Sequence, residues 1–189
     1  MDQSLAGLFE RTREDGSREM RMKQIATISA IAVLLFPMNT YGDACNKAVS
    51  FLKRVEDFRP SVYVCQAGER AIGYGFTDAA LIARGHITRA EADIELKRKC
   101  ERLIQKVRID LKGRRITDTQ MAAIVSFAYN VGWGNYRAST VRKMILNGRR
   151  DSDVAEELRK WVYVSKDGRK IRSRGLQKRR LSEAIMYAM

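Results

Sequence analysis

Pro60 divides this chain, because a proline cannot continue a helix and pushes the residue before it into extended geometry. The segment around it reads EDFRPSVYVCQAGERAIGYGFT, from Glu56 to Thr77. The helix ahead of it, roughly residues 44–58, therefore has to stop by Phe58. Past the break come two runs of strand-like composition, VYVC and AIGYGF, separated by QAGER. Gly68 in that spacer suits a hairpin with three to five loop residues. Glu56 is thus expected where a helix meets a small sheet, facing a strand that presents Cys65. An acid on one wall and a polarisable side chain on the other make a cleft.

The preceding helix places Ala48, Phe51 or Leu52, and Val55 at core-facing spacing. Glu56 follows Val49 and Leu52 at the helical steps of seven and four, so it borders that apolar stripe. Apolar flanks would partly desolvate its carboxyl and suit it to giving up a proton near neutral pH. The same periodicity also fits a boundary glutamate that reaches out to water.

Glu56, eight residues, Cys65 and then the run A-I-G-Y-G-F-T resemble the active-site segment of the phage-type lysozymes, the T4-lysozyme-like glycoside hydrolases of family 24. The family pattern there is Glu, eight residues, Asp or Cys, five residues, Thr, then I-G-Y-G-H-T. Glu56 and Cys65 fall on the first two positions. Ala71 falls on the third, so the family's threonine hydroxyl is missing. Phe76 replaces the usual histidine, and Asp57 the glycine that often follows the glutamate. A second run resembles the family's core helix and the turn after it, through Phe127, Asn130, Gly132, Gly134, Ser139 and Thr140. The end of the chain resembles the terminal signature, through Gly175, Leu176, Arg179, Arg180 and Glu183. The likeness spans about residues 44–188.

That resemblance implies an α+β class: a mainly helical lysozyme-like fold with a small antiparallel β-hairpin beside the helix that carries the acid. It also implies an inverting muramidase that cleaves the β-1,4 bond between N-acetylmuramic acid and N-acetylglucosamine in peptidoglycan, working on glycan strands as a monomer and without a cofactor. Glu56 would be the acid, and Cys65 would stand where a carboxylate usually polarises water. Tyr74, Gly75 and Asn130 would contact substrate. Cations such as Arg70 would favour the thiolate that such a role needs. With a methyl at position 71, a positioned polar group is lost, a change that commonly costs ~10²-fold or more. Either activity is weakened, or another group holds the water, with Glu69 and Asp78 the nearby carboxylates. A reading of a different class is a catalytically dead protein of the same fold that binds peptidoglycan as a wall anchor or assembly factor.

Ahead of this domain, residues 1–19 are polar and mixed in charge. Residues 20–42 carry positive residues, an apolar run from Ile25 to Phe36 and a small-residue exit, the layout of a secretory signal cut after Gly42. An uncleaved leader that tethers the protein to a membrane is the alternative. The run is shorter than the ~20 residues a span needs. The lysozyme-like domain is then 43–189, exported to the periplasm or beyond. The leader to Gly42 has five basic and five acidic residues, which leaves the whole net charge of +14 on the domain. Such a field attracts polyanions. Export points to the acidic wall and away from any specific nucleic acid.

Cys45, Cys65 and Cys100 lie in the exported part, where oxidation is allowed. If Cys65 works in catalysis, Cys45 should pair with Cys100; a bridge through Cys65 would instead cage the site until thiol exchange frees it. With no C-x-x-C and His86 as the only histidine, no metal site is expected. His86 falls in a loop. After it, Thr88 and Glu91 form a capping box for a helix from about Arg89 to Val107, with Ala92, Leu96, Leu103 and Val107 inward. A second box, Thr117 with Gln120, opens the most apolar helix, expected at the centre of the core. Gly132 and Gly134 supply backbone freedom at its end. Tyr129, Trp133 and Tyr136 suit core packing more than a sugar cleft. Helices over about 138–146 and 153–161, a hairpin around Asp167-Gly168 and a terminal helix complete the reading.

Overall fold

The structure, a computed structural model, describes residues 42–65, 68–166 and 168–189. The polar extension and the export segment expected before Gly42 lie outside the described residues. Gly42 itself is the first residue of α1 (Gly42–Val55), whose stripe of Ala44, Cys45, Ala48, Phe51 and Leu52 is buried. Asp43 in its first turn and Lys53 and Arg54 in its last complement the helix dipole. The backbone of Glu56 still donates to Leu52 O at 2.8 Å, and the chain then turns extended into Pro60.

Strands β1 (Arg59–Val64) and β2 (Arg70–Gly73) form the expected antiparallel hairpin, with Tyr63 opposite Ala71 and Val64 opposite Arg70. The chain then folds back sharply: Ile72 and Phe76 exchange backbone hydrogen bonds of 3.0 and 2.8 Å around Gly73–Gly75. Gly73 and Gly75 take φ of 66° and 82°, a region that side chains disfavour. A short helix, α2 (Ala79–Arg84), follows. Its six residues are too few for an apolar period, and the sequence gives it no capping signal beyond Asp78, whose side chain makes no cap bond.

Both capping boxes form, at Thr88 for α3 (Arg89–Asp110) and at Thr117 for α4 (Asp118–Val131). Helix α3 buries Ala92, Leu96, Cys100, Ile104 and Val107; Leu103, expected inward, is half-buried beside Ile104. Helix α4 is the centre of the core, with every residue from Gln120 to Ala128 buried. It packs against α1, α3 and the terminal helix. Gly132 closes it at φ 83°, but Gly134 needs no such freedom, because it lies within another short helix, α5 (Trp133–Ala138). Tyr136 on α5 is buried and stacks on Trp133 with centroids 5.2 Å apart, as a core role requires.

Ser139 caps α6 (Thr140–Leu146), and α7 (Asp151–Arg159) starts and stops slightly earlier than its spacing suggested. Strands β3 (Tyr163–Lys166) and β4 (Arg169–Arg172) pair from Tyr163↔Arg172 to Lys166↔Arg169. The final helix, α8 (Arg174–Ala188), lies against α4 and α7 and turns Arg179, Arg180 and Glu183 into the interior. The class is α+β: helices around α4 with two small antiparallel sheets.

Candidate active site

Glu56 sits at the junction that the proline break predicts, between the end of α1 and the β1–β2 hairpin. Its surroundings differ from the expectation. In place of an apolar pocket, the carboxylate meets a guanidinium: Arg179 Nη1 donates to Glu56 Oε1. The Glu56 side chain is 23 % exposed and Arg179 only 6 %, so the pair stands at the inner wall of the site. Proximity to the apolar stripe said nothing about a partner 123 residues away in sequence.

Arg179 is itself fixed from three sides. Its Nε donates to Glu183 Oε1 at 3.0 Å, and its Nη2 to Ser126 O and Oγ at 3.0 and 3.2 Å. Ser126 Oγ donates to Glu183 Oε1 at 2.6 Å. Glu183, fully buried, also accepts from Arg180 Nη1 at 2.5 Å. Arg180 reaches on to Trp161 O at 3.1 Å and to Asn130 Oδ1, and its guanidinium lies over the Phe127 ring at 4.9 Å. Burial pulls Arg180 below its ordinary value, opposed by the charge of Glu183. Two arginines and two glutamates thus alternate from the core to the edge of the site. The spacing R-R-x-x-E carried that signal, since residues three and four apart share a helix face.

On the other side of Glu56 the hairpin contributes Tyr63 and Gly75. A Cβ on Gly75 would stand 3.8 Å from Glu56 Oε2 and 3.9 Å from Tyr63 Oη, so both oxygens flank the space that the glycine leaves open. Among the described residues nothing donates to Oε2. Burial pushes the Tyr63 phenol up, and the charges of Glu56, Cys65 and Asp57 add to the rise while Arg59 opposes it. Arg59 lies over the Tyr63 ring at 4.8 Å. Burial also pushes the Tyr129 phenol up, with Glu56 adding; its hydroxyl donates to Tyr74 O at 2.7 Å.

Cys65 follows β1, half-buried and free, its N–H donating to Glu69 O at 2.8 Å. Ala71 is buried on β2, opposite Tyr63. Tyr74, expected at the substrate, is a correction. Its side chain is 1 % exposed, and its hydroxyl donates to Asp93 at 2.8 Å. The strand ends at Gly73, so alternation no longer decides which way residue 74 points, and the turn buries it. Asn130 is exposed at the end of α4, with its Oδ1 taken by Arg180. Of the carboxylates considered for holding water, Asp78 is committed to Lys99 at 2.6 Å, and Glu69 is exposed. The expected Cys45–Cys100 bridge is not formed: both are buried free thiols. They lie close enough for Cys45 to raise Cys100, whose thiol burial pushes up to about 12. Among the described residues no group of three or more His, Cys, Asp or Glu could hold a metal ion.

The chain matches known proteins over this same region. The family model described as phage lysozyme covers residues 53–183. An endolysin of Acyrthosiphon pisum secondary endosymbiont phage 1 is 30 % identical over 141 residues, which are 75 % of this chain and 94 % of that protein. A SAR-endolysin of bacteriophage PS119 is 28 % identical over 148 residues, 78 % of this chain and 84 % of the other. Among solved structures, the muramidase domain of SpmX from Asticaccaulis excentricus superposes with a TM-score of 0.66 at 26 % identity, covering 75 % of this chain and 95 % of that one. With the helix-to-hairpin junction, the central α4 and the buried R-R-x-x-E helix all inside the matched span, this chain belongs to the phage lysozyme family.

Proposed function

We propose that this protein is a peptidoglycan muramidase that hydrolyses the β-1,4 bond from N-acetylmuramic acid to N-acetylglucosamine with inversion, Glu56 serving as the acid. One observation carries the assignment of Glu56: its two oxygens have different surroundings. Oε1 is held by Arg179, while Oε2 faces the space over Gly75 and is left to a ligand. A fixed carboxyl with one oxygen free can present a proton to a leaving glycosidic oxygen from a set direction. Cys65, on the strand wall, takes the place of the second group, which draws a proton from the attacking water. The substrate is the glycan strand of the wall, and the domain acts after export, a reading supported by the leader sequence, the basic domain and the likeness to a SAR-endolysin.

Clearing of purified peptidoglycan suspensions by the full chain and by Glu56→Gln tests this. Wild type should clear them and the variant should not, and NMR should find the α-anomer of the new reducing end first. Equal, negligible clearing by both would overturn the hydrolase and leave a glycan-binding protein.

A further inference from the structure

Hydrolysis at Glu56 needs a polar group that fixes the attacking water on the hairpin side of the carboxyl, and Ala71 offers only a methyl. Directly opposed residues of an antiparallel pair project to the same face, and residues two apart along a strand do so as well. Tyr63 is opposite Ala71, so the two share one face, and Cys65, just past the end of β1, lies close enough for its charge to bear on the Tyr63 phenol. The Tyr63 hydroxyl comes within 3.9 Å of the position of a Gly75 Cβ, the point that Glu56 Oε2 also borders at 3.8 Å. Among the described residues no protein group hydrogen-bonds to that hydroxyl. The Arg59 guanidinium on the ring and the strand pairing hold the side chain in place.

We propose that Tyr63 is a further catalytic residue, its hydroxyl hydrogen-bonding the attacking water between Glu56 and Cys65 in place of a hydroxyl at position 71. This rests on the muramidase reading above. In the step, the water oxygen bonds to C1 of the muramic acid as the C1–O bond breaks. The electron pair stays on the leaving oxygen, which takes the Glu56 proton. The water proton passes to the Cys65 thiolate, and Tyr63 keeps its own. After product release, solvent returns a proton to Glu56 and removes the one on Cys65.

The test compares kcat and KM on purified peptidoglycan for wild type, Glu56→Gln, Tyr63→Phe, Ala71→Ser and the double variant Tyr63→Phe/Ala71→Ser, all as the full chain. Tyr63→Phe removes one oxygen and keeps the ring. It should lower kcat about 10²-fold, the scale for losing one positioned polar group, with KM little changed. Ala71→Ser adds a single oxygen on the same face, and in the Tyr63→Phe background it should restore most of the lost kcat. A Tyr63→Phe enzyme with unchanged kcat, or a double variant no better than Tyr63→Phe, overturns the role while leaving the muramidase intact. A wild type no faster than Glu56→Gln overturns both.

Discussion

Replacing Glu183 by Gln is the sharpest probe of what holds the site. The substitution keeps the shape and volume of the side chain, so no cavity contributes. It removes one negative charge from a fully buried position that accepts from Arg179 at 3.0 Å, Arg180 at 2.5 Å and Ser126 at 2.6 Å. Before the change, two guanidiniums face two carboxylates. Afterwards Glu56 alone balances both, and it touches only Arg179. Breaking a buried ion pair by removing one partner costs about 3–5 kcal/mol, because a charge is left uncompensated in a low dielectric. For a domain of this size each kcal/mol moves Tm by about 3 °C, so thermal unfolding followed by circular dichroism should show a fall of about 10–15 °C. Ser126→Ala, which removes a neutral hydroxyl that donates to Glu183 and accepts from Arg179, should cost less, about 1–3 kcal/mol. A Glu183→Gln protein that melts with wild type would refute the argument. The four groups would then be solvated enough to dispense with one another.

Two further outcomes follow from the thiols and the acid groups. Cys100 is buried with its thiol pushed up to about 12, and burial also raises Cys45, so at about pH 8 a thiol reagent should find only Cys65 reactive. Ellman titration should count one fast thiol in the native protein and three after denaturation, and blocking the fast one should stop wall clearing. Glu91, in the α3 capping box, is held down to about 2 by its hydrogen bond from Arg84 and then by Thr88. Burial pushes Asp78 up, but the hydrogen bond and charge of Lys99 outweigh it and hold the carboxyl low. Depressed carboxyls contribute stability above their unfolded values, and that contribution is lost as pH falls through the folded ones. Tm should therefore drop between about pH 4.5 and about 2, with Glu91→Gln flattening the slope. A slope unchanged in that variant would count against the capping box.

The parts of this fold legible in the sequence are those whose cause is local. Thr88 with Glu91 and Thr117 with Gln120 satisfy backbone donors within one turn, so each box names its own helix start. Pro60 and Gly168, the latter at φ 74°, act over a few bonds. Helix α2 escaped because six residues leave no period to read. Tyr74 escaped because two glycines at positive φ break the alternation on either side of it. The site is a different matter. Glu56 was visible as an acid beside an apolar stripe, yet what orders it comes from the far end of the chain. No local rule brings α8 across α4 to meet the end of α1. What the sequence did carry was the internal order of that partner, since R-R-x-x-E is a self-contained set of pairs on one turn of helix. A chain can thus announce a prepared arginine long before folding shows which carboxylate it serves. An unexplained, self-paired arginine in a buried helix is therefore reason to look for a distant acid that lacks a partner.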